Sequence, residues 1–173
     1  EHLAGKTRID VDLPAVGQRT FLDFVPAPGG KADTLVVFHH GLGETQHDLA
    51  LEPIRQMHDF RDRIDLVLLK APHPETASEV ANDLLSCRTH FTRCIFQQSV
   101  TAKIVARHLR TQYRHLVLSG VSLGGVVALC ELVEDPCFDL YVPLLAGPVL
   151  HDVMLHSAFT RCVEDKFLHA ERN

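Results

Sequence analysis

The chain lacks most of the features that would assign it at a glance. No apolar run approaches the ~20 residues needed to cross a bilayer, which argues against a membrane-spanning protein. A charged amino-terminal stretch leading into an apolar core, the mark of a secretory leader, is also missing, so the expected location is cytoplasmic. Glu1 stands where an initiating methionine would, which suggests a processed start or a fragment boundary. Basic residues are not in excess: 17 Lys and Arg face 22 Asp and Glu, a formal net charge of −5. Such a surface gives no reason to expect nucleic acid or anionic lipid as a partner. Twelve histidines are present, but none falls in an H-E-x-x-H or similar metal spacing. Five cysteines is an odd count. The C-x6-C spacings of Cys87/Cys94 and Cys130/Cys137 match no common zinc pattern, so free thiols in a reducing compartment are expected and no metal is implied. No repeat, low-complexity tract or linker divides the 173 residues, and residues 1–173 are read as one domain with room for a sizeable core.

What is present is an ordered series of apolar segments. Arg8 to Leu13 and Arg19 to Val25 each alternate polar and apolar residues around the turn Pro14–Gly17, as an antiparallel hairpin does. Thr34–Phe38, Asp65–Leu69 and Leu116–Leu118 are short continuous apolar runs, the pattern of strands buried on both faces. Asp139–Leu145 reads as a fourth such strand, with Pro143 requiring an edge or a bulge because it has no N–H for the ladder. Helical spacing is expected over Asp48–His58, from Ile95 to Leu109, over Ser122–Leu132, and in the tail from Val149 to Ala170. A hairpin followed by strand–helix units specifies an α/β fold: a three-layer α/β/α sandwich with a mostly parallel sheet. The loops after the buried strands, His39–Gly43, Ala71–Pro74 and Ser122, would then gather at the carboxyl edge of the sheet, where such folds hold ligands.

One of those loops carries chemistry. Gly120-Val121-Ser122-Leu123-Gly124-Gly125 is a G-x-S-x-G sequence between an apolar strand and an apolar helix. Glycines allow a tight corner, a nucleophile elbow, with the serine hydroxyl at its tip. The N–H groups that open the next helix face the same spot and favour negative charge there. A serine needs a base and an oxyanion site to act as a nucleophile. His39-His40-Gly41-Leu42-Gly43 ends the first buried strand, and the N–H of Leu42 or Gly43 is placed by sequence to serve as a second oxyanion donor beside that of Leu123. His40 and His73 are candidates to line the substrate.

These motifs and the order of strands around them, from about Arg8 to Leu150, resemble the α/β-hydrolase superfamily. The resemblance implies hydrolysis of an ester, thioester or amide, with Ser122 as nucleophile and Leu42 and Leu123 as oxyanion donors. It implies no diffusible cofactor or metal. The substrate would be a small ester or acyl compound.

The carboxyl end departs from the pattern. In the family the acid and the histidine follow the serine along the chain. Only 51 residues follow Ser122, with one credible strand among them. Either the acid and base lie outside these 173 residues, or a compact triad uses Asp152 with His156, with His169 and His151 competing as base. Asp152 and His156 are four residues apart and share one face of a helix. Two other functions stay open on the sequence: a non-catalytic module or incomplete hydrolase that associates through an unpaired sheet edge, and an acyltransferase using the same serine.

Overall fold

In a computed structural model of the chain, residues 7–13, 18–30, 32–41, 62–70 and 88–147 are described. The elements are β1 (Thr7–Leu13), β2 (Gln18–Val25), β3 (Thr34–His39), β4 (Ile64–Leu69), α1 (Arg88–Leu109), β5 (His115–Val121), α2 (Leu123–Glu134) and β6 (Leu140–Leu144). They build one six-stranded sheet in the order β1-β2-β4-β3-β5-β6. The alternating segments form the hairpin: β1 pairs antiparallel with β2, and β2 antiparallel with β4. From β4 across to β6 every pairing is parallel. The fold is thus α/β with a mostly parallel sheet, as the sequence specifies.

Both faces of the sheet are buried, which is why the central strands are apolar without alternation. On one face Leu35, Val37, Val67, Leu69, Leu116 and Leu118 pack against Ala102, Val105 and Ala106 of α1 and Ala128 of α2. On the other, Val36, Phe38, Ile64, Leu66 and Leu68 form a second cluster. The two described helices lie on the same face. The helices expected over Asp48–His58 and Val149–Ala170 fall outside the described residues.

Two sequence expectations change. Helix α1 begins at Arg88, well before Ile95, and its binary pattern is inverted in the middle. Gln97, Gln98, Ser99 and Thr101 are buried, whereas Phe96, Val100 and Ile104 are exposed. Three of these polar side chains are bonded within the fold: the Ser99 hydroxyl donates to Glu131 at 2.6 Å, that of Thr101 to the Gln97 carbonyl at 2.8 Å, and the Gln98 amide to the Cys94 sulfur at 3.1 Å. Strand β6, expected to be buried, is only half-covered. It is the last strand of the described sheet, pairs with β5 alone among the described strands, and exposes Leu140 and Leu144. Pro143 sits on this edge strand, as a residue without an N–H requires.

The amino ends of the strands are tied by two aspartates. Asp65 on β4 accepts the Ala27 N–H at 2.7 Å and the Tyr113 hydroxyl. Burial first, and then this carboxylate, push the Tyr113 phenol well above its usual range. Asp139, just before β6, takes both guanidinium nitrogens of Arg110 at 2.7 Å and the Leu116 N–H at 2.7 Å, while its own N–H donates to the Leu116 carbonyl. One carboxylate therefore links the end of α1, the start of β5 and the start of β6. Arg110, then the Leu116 N–H, hold the Asp139 carboxyl down at about 2.

A depressed carboxyl stabilises the fold above its unfolded pKa and loses that contribution as pH falls through the folded one. Asp139→Asn is therefore expected to lower the melting temperature at pH 7. The gap to the parent protein should close as pH falls from about 4 towards 2. Thermal melts of both proteins across that range check it.

Candidate active site

The centre of the site is the corner between β5 and α2. Its geometry follows from three places where only a hydrogen fits. A Cβ on Gly120 would collide with the carbonyl of Gly124, and one on Gly124 with the carbonyl of His39. On Gly125 it would lie 2.6 Å from the Ala146 Cβ and 2.9 Å from the Leu144 carbonyl oxygen. The first turn of α2 thus presses directly onto the ends of β3, β5 and β6. The strands end level with one another, since His39 is in register with both Leu69 and Gly120.

That contact leaves the intervening residue little freedom. Ser122 is held at φ 53°, ψ −112°, a conformation that side-chain-bearing residues rarely adopt, at a cost of about 1–3 kcal/mol. The surrounding bonds enforce it. The Ser122 N–H donates to the Leu144 carbonyl at 2.8 Å, and the Ser122 carbonyl accepts the Val126 N–H at 3.0 Å. Ser122 occupies the N-cap position of α2, yet its side chain makes no capping hydrogen bond, and the residue is exposed. The hydroxyl is therefore presented outward at the carboxyl edge of the sheet and is not consumed by the helix. Leu123, buried directly behind it, opens the helix.

The loop after β3 reaches the same place. A Cβ on Gly41 would stand 3.6 Å from the Ser122 Cβ and 3.4 Å from Val121 Cγ1, so this glycine lies beside the serine. Both preceding histidines are buried. The His40 Nδ1–H donates to the Gly41 carbonyl at 2.7 Å, which fixes the proton on that nitrogen because a carbonyl can only accept. His40 thus braces its own loop. The His39 ring reaches α1 and meets Gln98 Oε1 at 3.1 Å, while the Gln98 amide donates to the Cys94 sulfur. Burial raises the Cys94 thiol to about 11, against a smaller lowering from Gln98, so this sulfur is a protonated core group.

The other sequence candidates, Leu42, Gly43, His73, Asp152 and His156, lie outside the described residues. One buried carboxylate is described on α2, that of Glu131, and it serves a different end of the molecule. It lies nine residues along α2 from Ser122, about 13 Å of helix, and faces Ser99 and Lys103 of α1. Burial raises its carboxyl above the usual range, opposed by the Ser99 hydroxyl and the Lys103 ammonium. Among the described residues no group of three or more His, Cys, Asp or Glu side chains is placed to hold a metal ion. No described helix is long and apolar enough to cross a membrane. Nothing in the sequence pointed to Gln98, which sits 59 positions from its partner His39 and carries no motif.

No protein-family profile matches the sequence, and no curated protein matches it closely enough to register. Solved structures do match the fold. A thermostable esterase from Pseudomonas putida superposes with a TM-score of 0.56 at 21% identity, covering 84% of this chain and 45% of the esterase. The fluorophosphonate-binding serine hydrolase F of Staphylococcus aureus gives 0.54 at 11% identity, covering 88% of this chain and 61% of that enzyme. An S-formylglutathione hydrolase of the same organism gives 0.51 at 15% identity, covering 97% and 70%. The chain spans less than two thirds of the first two. The fold is that of the α/β-hydrolases, and the neighbours that share it are serine hydrolases and esterases.

The corner makes opposite demands on neighbouring positions. Gly124→Ala should cost about 3 kcal/mol by forcing α2 off β3. Ser122→Gly should raise stability by about 1 kcal/mol by releasing the strained φ. Denaturant melts of the two variants beside the parent chain check both signs.

Proposed function

We propose that this chain is a serine hydrolase acting on carboxylic esters, with thioesters and amides as related substrates. The observation that carries the reading is Ser122 itself: an exposed hydroxyl, free of capping, on a strained residue at the start of a helix and beside the Gly41 loop. Strain of this kind persists only where the surroundings impose it, and it collects at reactive positions. The shared fold of serine hydrolases supports the same reading.

In this mechanism Ser122 Oγ attacks the substrate carbonyl carbon while a histidine takes its proton. The N–H of Leu123, with that of Leu42 or Gly43, holds the developing oxyanion at the helix N-terminus. The carbonyl–oxygen bond to the alcohol then breaks, and the alcohol departs with the proton. Water adds to the acyl-enzyme by the reverse steps, releasing the acid and restoring the hydroxyl. An alcohol or thiol in place of water would make the same chemistry an acyl transfer. His156, oriented by Asp152, is the base the sequence offers within this chain. His73 is assigned to the substrate side of its loop, while His40, first a candidate for the same role, braces the loop beside Ser122.

A fluorophosphonate probe is expected to label the folded chain at Ser122, and Ser122→Ala to abolish both labelling and p-nitrophenyl acetate turnover. Labelling that persists in Ser122→Ala would overturn the assignment.

His156→Gln is expected to lower turnover by at least a hundredfold. Turnover within twofold of the parent would pass the role of base to another histidine.

A second reading, a binding module that associates through β6, is favoured by the exposed Leu140, Leu144 and Leu145 along that edge. Ser122-dependent turnover by a monomer, with mass measured in the same sample, would remove it.

A further inference from the structure

We infer that Leu145 sets substrate specificity at the Ser122 site by seating the hydrocarbon chain of an ester next to the scissile carbonyl. This rests on the serine-hydrolase reading above and adds a residue and a substrate class to it.

Among the described residues two non-glycine positions have positive φ, and they are neighbours in space. One is Ser122. The other is Leu145, at φ 52°. In the ladder Val121 is in register with Leu144, the last pair of β5 and β6, and Ser122 and Leu145 directly follow these two residues, with the Ser122 N–H bonded to the Leu144 carbonyl at 2.8 Å. The backbone around Leu145 is fixed by the serine corner. The Leu144 carbonyl accepts the Ser122 N–H, and Ala146 lies against Gly125.

Leucine is a poor choice for that backbone. Glycine or asparagine adopts it at less cost. The usual compensation, burial of the side chain, is absent, because Leu145 is 88% exposed. Relative to glycine, leucine contributes one thing here: an exposed apolar side chain at the carboxyl edge of the sheet, on the residue next to the Leu144 that bonds Ser122. Apolar groups flanking a few polar ones are what a pocket needs to bind and orient an ester. The matching ligand chemistry is an alkyl chain, borne by either the acyl or the alcohol half of the ester.

The test compares Leu145→Gly and Leu145→Ala with the parent on two substrate series. One is p-nitrophenyl esters from acetyl to octanoyl, and the other is acetate esters from ethyl to octyl. Leu145→Gly is expected to melt no lower than the parent, since glycine accepts this φ, so lost folding cannot mimic lost specificity. Both variants should lower kcat/KM for the longest member of one series about tenfold more than for its shortest. The series that shifts identifies which half of the ester Leu145 meets. Leu140→Ala, at the opposite end of β6, should leave both ratios unchanged. The inference is overturned if long-to-short ratios stay within twofold of the parent in both series while Ser122-dependent turnover continues, or if Leu140→Ala shifts them equally. A parent chain with no Ser122-dependent turnover on either series would overturn the hydrolase reading itself, and this inference with it.

Discussion

Everything at the carboxyl edge of this sheet depends on one close approach: the first turn of α2 lying directly on the main chain of β3 and β5. Gly120, Gly124 and Gly125 make it possible by having no side chain where the elements meet. Once α2 is that close, the residue joining it to β5 has only one route, and Ser122 takes it with positive φ. The exposure of the hydroxyl, the direction of the helix N–H groups and the nearness of Gly41 are consequences of that one packing decision. The contact is short-range repulsion between backbone atoms, so it tolerates no gradual relaxation.

The sheet divides its work between its two ends. At the amino ends, Asp65 and Asp139 bind loops, strand starts and the end of α1 through charge-assisted bonds. At the carboxyl ends the two positive-φ residues sit together, each less stable than a glycine would be. A scaffold anchored at one end can hold unfavourable conformations at the other, because opening the strained corner would also break the parallel ladder behind it.

Much of this was legible in the sequence because it is written in periodicity and in glycine. The hairpin β1–β2 follows from alternation, the buried strands from continuous apolar runs, and the Ser122 corner from spacing. What was hidden depends on long-range partners. Helix α1 conceals its length because Gln97, Gln98, Ser99 and Thr101 are buried while Phe96, Val100 and Ile104 are not. No local rule anticipates that a glutamine will bond a histidine from another element, or that a buried glutamate will meet Ser99 and Lys103. Asp139 gave no sign that it would join three elements. Strand β6 looked buried because its composition is apolar, and only Pro143 pointed to the edge position it takes in the described sheet. Leu145 gave no signal either, since a left-handed leucine leaves no mark on a pattern of apolar residues.

The Ser122 corner also bears on how this chain relates to its neighbours. Its contacts run from main chain to main chain: glycine against carbonyl, N–H against carbonyl. Most side chains around it are spectators to its shape. A lineage can then replace nearly every residue outside a few glycines and the serine, and the corner will still form. Sequence identity counts side chains, so it is blind to contacts made from main chain to main chain. The fold is shared with solved structures at identities of 11–21%.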